Sequence, residues 1–185
     1  MRKFETYINQ ISNNADEKEI VRFGLIQLLT LLSGVVVITI LGFIFGIPSK
    51  VFLFLAFALP LRQNAGGYHT KSRWSCLFIS IIILFIVLLI LKYFNPGIIT
   101  SIVLYAVGSL LILTLAPIGN VNRELDNLEK EIYEERTILI WIVESLLFVI
   151  LELLKQLTWG FMVCLTIFLC GLLVLIEYLR ERVLT

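Results

Sequence analysis

Five stretches of this chain, at about 24 to 46, 77 to 94, 97 to 118, 137 to 154 and 158 to 179, are apolar over lengths that match the core of a lipid bilayer. That core is about 30 Å thick and takes a helix of about 20 residues. Composition points the same way: 59% of the 185 residues are hydrophobic and 16% charged, with a mean hydropathy of +0.96. A soluble domain of this length cannot hide so much apolar surface. The expectation is an all-α integral membrane protein, one membrane-embedded domain over residues 1–185.

A sixth run is short. Residues 51 to 61 follow Pro48 and give only eleven apolar positions, so this piece either continues through the polar Arg62-Gln63-Asn64 and crosses, or re-enters without crossing. Loops on the cytoplasmic side carry excess lysine and arginine, which makes charge the arbiter. If the piece crosses, Arg2, Lys3, Lys18, Arg22, Arg62, Lys71, Arg73, Arg123, Lys130, Arg136, Arg180 and Arg182 fall inside and Lys50, Lys92 and Lys155 outside, twelve against three. If it does not, the split is six inside and nine outside. Six spans with both termini cytoplasmic follow.

Aromatic rings support these limits, with Trp74 and Trp159 where spans begin and Tyr93 and Tyr178 where they end. Asn95-Pro96-Gly97 reads as a tight external turn. Phe4, Ile8 and Ile11 near the N-terminus, and Leu125, Leu128 and Ile132 in the 119 to 136 loop, give two amphipathic segments expected to lie along the cytoplasmic interface. The first residues lack the apolar core of a cleavable signal, so the chain is expected to enter the membrane through its first span. A net charge of +1 gives no reason to expect nucleic acid as a partner.

The one polar break in the long apolar region runs from Arg62 to Cys76 and holds the sole histidine, His69. A free thiol has a pKa of about 8.5, and an imidazole, titrating near about 6.5, can take its proton and return it to a leaving amine. A base and a thiol together therefore suggest a cysteine nucleophile. On a straight helix their seven-residue spacing leaves the pair roughly 10 Å apart, beyond the roughly 3 Å of a hydrogen bond, so if the two act together the backbone between them must bend. Gly66-Gly67 supplies a flexible entry.

Arg62, Gly66-Gly67-Tyr68-His69 and Cys76 resemble the signature of the accessory gene regulator B (AgrB) family, membrane cysteine endopeptidases that process the peptide precursors of Gram-positive quorum-sensing signals. Pro117 to Arg123 is similar to a Pro-Val-Asp-Asn-Pro-Asn-Lys pattern of that family, with Gly119 replacing the acid and Val121 the second proline. The resemblance implies Cys76 as nucleophile and His69 as general base and acid, with Arg62 and Gly67 needed for the shape or charge of the site. It further implies a precursor (AgrD-like) with an amphipathic leader and an acidic C-terminal tail. The tail is cut off through a thioester on the enzyme, and a thiolactone or lactone is closed. A homodimer in the cell membrane, active on its cytoplasmic side, is implied as well.

Gly66, Lys71 and Arg73 join the candidate site residues. Lys71 and Arg73, with Arg62, either attract the acidic tail or merely satisfy the positive-inside bias. Asn64 or Gln63 is a candidate oxyanion donor, as are backbone amides near Cys76. Glu144 and Glu152, eight apart in the fifth span, orient His69, pair with Arg62, line a groove, or serve helix packing. Glu177 lies close enough to Arg180 and the interface to need no special role. Cys164 and Cys170 read as packing residues, and no metal or other cofactor is expected. Gly42 and Gly46, a Gly-x-x-x-Gly pair in the first span, would permit close helix packing. The competing reading is a small membrane peptide transporter without proteolytic activity, against which stand the lack of a nucleotide-binding motif and of an inverted repeat.

Overall fold

The computed structural model describes residues 15–68, 73–94, 97–119 and 126–184. Among the described residues there are six helices: α1 (Ala15–Ile44), α2 (Pro48–Ala65), α3 (Arg73–Tyr93), α4 (Ile98–Leu115), α5 (Asn127–Leu153) and α6 (Leu157–Leu184). Each apolar run forms the bulk of one helix. Proline 48 stands in the first turn of α2, where a missing N–H leaves no helical bond unmade. The helix does not stop at Leu61 but continues through Arg62, Gln63 and Asn64 to Ala65, giving 18 residues. At 1.5 Å per residue that is about 27 Å, close to a bilayer core.

Helix α5 begins earlier than hydropathy suggests. The Asp126 carboxylate accepts from the Asn127 amide at 2.6 Å, and the helix then runs without a break for 27 residues. Residues 127–136 are therefore the first turns of α5 rather than a separate interfacial segment, because the cap lies before them and nothing in Leu128 to Arg136 interrupts the helix. The amphipathic N-terminal segment, the Asn95-Pro96 turn and residues 120–125 lie outside the described residues.

Helices α1, α5 and α6, at 30, 27 and 28 residues, measure about 40 to 45 Å and overrun a bilayer core. The C-terminal ends of α1, α3 and α5 gather at one end of the bundle. Lys50 Nζ donates to the Leu91 carbonyl at 2.7 Å, Lys92 Nζ stands 5.0 Å from the Phe45 ring centroid, and the Phe94 and Phe161 rings meet at 5.6 Å. Lys50, Lys92 and Lys155 thus share this end. The ends of α2, α4 and α6 and the starts of α3 and α5 form the opposite one.

Helix α6 is the axis of the packing, buried without interruption from Gly160 to Ile167. Near the lysine end Phe161, Met162 and Leu165 pack with Ile38 of α1, Phe54 of α2 and Leu88 of α3. Further along, Val163, Ile167 and Cys170 meet Leu61 of α2, Ile112 of α4 and Phe148 of α5. The α4–α6 crossing depends on glycine: a Cβ on Gly108 would come within 2.6 Å of the Phe168 backbone, and one on Gly171 within 2.8 Å of the Gly108 carbonyl oxygen. Helix α5 is tied to α4 by hydrogen bonds from Trp141 Nε1 to Ser109 Oγ and from Tyr105 Oη to Ser145 Oγ, each at 2.9 Å.

The Gly42/Gly46 pair has a different use from a helix-packing motif within one span. Gly46 lies past the end of α1 at φ +73° in the turn, and Gly42 faces Val51 of α2, whose Cγ2 would be 2.8 Å from an added Cβ. The pair closes the α1–α2 hairpin within the chain. Ile98–Leu115 and Leu157–Val183 are long and apolar enough to cross a membrane, and shorter apolar segments occupy Leu31–Ile44 and Phe78–Tyr93. Outward faces carry exposed Ile99, Leu110, Leu139, Leu146 and Leu153, a surface suited to lipid.

Candidate active site

Two glycines end α2. Gly66 has φ +78° and Gly67 φ +122°, backbone angles that L side chains rarely adopt, so the chain leaves the helix axis and forms a short extended strap, Gly66-Gly67-Tyr68. This is the flexible entry that the two glycines suggest; the bend expected between His69 and Cys76 falls on residues 69–72, outside the described residues.

The strap is fastened largely by main-chain groups. Gly66 forms an isolated parallel bridge with Ile118, whose amide donates to the Ala65 carbonyl at 3.2 Å. The Tyr68 amide donates to the Leu173 carbonyl of α6 at 3.0 Å. A Cβ on Gly66 would collide with the Ile118 carbonyl oxygen, and one on Gly67 would stand 2.6 Å from Arg62 Nη1 and 3.1 Å from the Leu173 carbonyl carbon. Beneath the strap, Ala65, Ile118 and Val174 pack into a small buried cluster. Ile118 is available because α4 stops at Leu115, just before Ala116 and Pro117, and proline cannot continue a helix. The two stretches that resemble the AgrB pattern therefore meet in space.

Arg62, in the last turn of α2, turns its guanidinium back onto the strap. Nη1 donates to the Gly66 carbonyl, and Nη2 donates to the Tyr68 carbonyl at 2.8 Å. Its planar fork suits two acceptors at once, and a cation at a helix C-terminus is favoured by the helix dipole. Arg62 thus holds the backbone of residues 66–68, immediately before His69.

The other sequence candidates fall in different places. His69 and Lys71 lie outside the described residues. The backbones of Arg73 and Cys76 belong to the first turn of α3, while their side chains lie outside the described residues. Asn64 Nδ2 donates to the Pro60 carbonyl at 2.8 Å and so serves its own helix. Glu144 is buried on α5 one turn before Phe148, which packs with Leu61 of α2 and Cys170 of α6. Glu152 is at the lysine end: a Cβ on Gly160 would be 2.7 Å from its Oε1. Some thirteen residues of α6, about 20 Å, separate Gly160 from Leu173 under the strap, so Glu152 is not brought to it. Cys164 and Cys170 are buried, free and part of the core. Among the described residues no three His, Cys, Asp or Glu side chains gather as a metal site.

Sequence reading missed Ile118 and Leu173. They act through backbone atoms, which no side-chain motif records; only the similarity of Pro117–Arg123 to a family pattern pointed near one of them.

A family model described as accessory gene regulator B matches residues 2–176. The chain belongs to that family. Among its AgrB relatives, AgrB-like protein 2 of Clostridium perfringens (strain 13 / Type A) is 25% identical over 134 residues, 69% of this chain and 63% of the relative. An AgrB-like protein of Clostridium perfringens (strain SM101 / Type A) matches to the same extent. The chain thus spans 63% of the length of these AgrB-like relatives. No solved structure matches it.

Proposed function

We propose that this AgrB-family chain is a multi-pass cysteine endopeptidase of the cell membrane of a Gram-positive bacterium. It removes the acidic C-terminal tail of an AgrD-like peptide precursor and promotes ring closure of what remains. The observation that carries this reading is the strap Gly66-Gly67-Tyr68, held by Arg62, Ile118 and Leu173, because it fixes the chain directly before His69 while Cys76 begins the next helix.

His69 takes the Cys76 proton, and the sulfur attacks the scissile carbonyl. As the C–N bond breaks, the imidazolium returns its proton to the departing amine of the tail, leaving a thioester on Cys76. An internal thiol or hydroxyl of the bound peptide then attacks that thioester, closing a thiolactone or lactone and freeing the cysteine. Ring closure wins over hydrolysis because a held nucleophile has an effective molarity that water does not match, provided the site is dry. The first turn of α3 favours an anionic sulfur through its unpaired backbone amides. Lys71 and Arg73 attract the acidic tail.

The orientation in this reading has six spans, both termini in the cytoplasm and the strap end facing it. The clustering of Lys50, Lys92 and Lys155 at the opposite end supports this, since cytoplasmic ends collect most cations. The homodimer rests on the family resemblance alone, because Gly42 is occupied within the chain.

Co-expression of the precursor with Cys76→Ala, followed by mass spectrometry of the peptide, tests the reading. Tail removal should stop. Normal trimming in this variant refutes the peptidase, and intact trimming with loss of peptide export favours a transporter. Charge reversal at Lys71 and Arg73 should slow cleavage of an acidic-tailed precursor, and unchanged cleavage leaves those residues only a topological role.

A further inference from the structure

Leu173, which receives the Tyr68 amide, is followed one helical turn later by Glu177, and one turn beyond that by Arg180. Residues at this spacing share a helix face. Glu177 is completely buried in the bundle, and its Oε2 accepts from Arg180 Nη1 at 3.2 Å. The Arg180 guanidinium carbon lies 5.4 Å from the centroid of the Tyr68 ring, within cation–π range. Tyr68 is therefore gripped at three points: its amide by Leu173, its carbonyl by Arg62 and its ring by Arg180.

We propose that Glu177 and Arg180 are positioning residues for the reaction, the buried carboxylate holding the guanidinium and the guanidinium holding the Tyr68 ring, so that the backbone entering His69 has one direction. This rests on the peptidase reading of His69 and Cys76. A residue's Cα lies about 3.8 Å from its neighbour's, so rotation of an unheld Tyr68 displaces the next side chain by several ångströms. A misplacement of about 1 Å is enough to cost two orders of magnitude in rate. The matched family segment ends at residue 176, before both residues.

A buried carboxylate with one arginine partner is a costly arrangement unless the pair is held, and Glu177 Oε1 has no hydrogen-bond partner among the described residues. The pair lies beside the strap, with the Glu177 side chain fully buried and that of Arg180 18% exposed. Its effect is on geometry, so it belongs in turnover and not in substrate affinity.

The test is steady-state cleavage of a precursor peptide by the full chain in proteoliposomes, with Cys76→Ala as the control that reports on the peptidase reading itself. Arg180→Gln, Glu177→Gln and Tyr68→Leu should each lower kcat at least tenfold with KM within about twofold of wild type. Tyr68→Phe, which keeps a ring, should lose less than Tyr68→Leu, and Arg180→Lys, which keeps a cation, less than Arg180→Gln. The double variant Arg180→Gln with Tyr68→Leu should be no slower than the worse single variant, because both remove one contact. Wild-type kcat in Arg180→Gln, or multiplicative losses in the double variant, overturns the proposal while Cys76-dependent cleavage persists. Cleavage that survives Cys76→Ala overturns the peptidase reading instead. If Glu177→Gln does not fold, the Arg180 and Tyr68 variants decide.

Discussion

Gly66 and Ile118 lie side by side in a parallel bridge, with the Ile118 amide donating to the neighbouring Ala65 carbonyl at 3.2 Å. This contact joins the close of α2 to the chain just past α4, and with the Tyr68–Leu173 bond it draws α2, α4 and α6 to one place.

Arg62→Lys keeps the charge and loses the fork. If Arg62 works by bonding the Gly66 and Tyr68 carbonyls together, precursor cleavage falls at least tenfold, equivalent to about 1.4 kcal/mol. Initial rates in proteoliposomes measure it. A lysine variant as fast as wild type would mean that only a positive charge is needed there.

Gly67→Ala puts a methyl group 2.6 Å from Arg62 Nη1 at a φ of +122°. The expected cost is about 1–3 kcal/mol, read as a lower melting temperature in detergent together with lost cleavage. An unshifted melt shows that the strap relaxes at no cost.

Gly171→Ala and Gly34→Ala form a matched pair. The first drives a Cβ to 2.8 Å from the Gly108 carbonyl oxygen, whereas the second meets nothing within 4 Å. Overpacking at the α4–α6 crossing costs about 1–3 kcal/mol, while alanine in the open middle of α1 gains about 0.5–1 kcal/mol in helix propensity. Thermal unfolding of the two variants should shift in opposite directions.

Glu152→Gln should leave precursor cleavage within about twofold of wild type, since helix geometry sets Gly160, its neighbour, about 20 Å from Leu173. A tenfold loss of rate would bring this carboxylate back into the chemistry.

Cysteines introduced by Lys50→Cys and Lys155→Cys, in a Cys76→Ala background, should react with an impermeant maleimide on intact cells, and one from Glu181→Cys only after lysis. The remaining native thiols, Cys164 and Cys170, are buried. Labelling of all three from outside would contradict an orientation in which the strap end faces the cytoplasm.

Helices were legible in the sequence because hydropathy encodes them directly, and continuation of α2 through Arg62-Gln63-Asn64 was one of the two readings its sequence allowed. The break at Gly66-Gly67 was legible for the same local reason: two glycines mark a backbone that side chains would obstruct. The partners of that break were not. Ile118 and Leu173 contribute amide and carbonyl groups, which every residue possesses, so their choice is set by tertiary packing. Gly42 and Gly46 show the converse, since small residues four apart read alike whether the approaching surface is another chain or the next helix of the same one. The nearness of Glu177 to Arg180 was legible from their spacing, whereas its complete burial was not, because burial depends on what packs around α6.

The strap asks its neighbours for peptide groups and asks glycine only of itself. The side chains at Ile118 and Leu173 can therefore be exchanged for others of similar bulk while the chain leading into His69 keeps its path. Divergence among members of this family should concentrate around the strap and spare the two glycines within it.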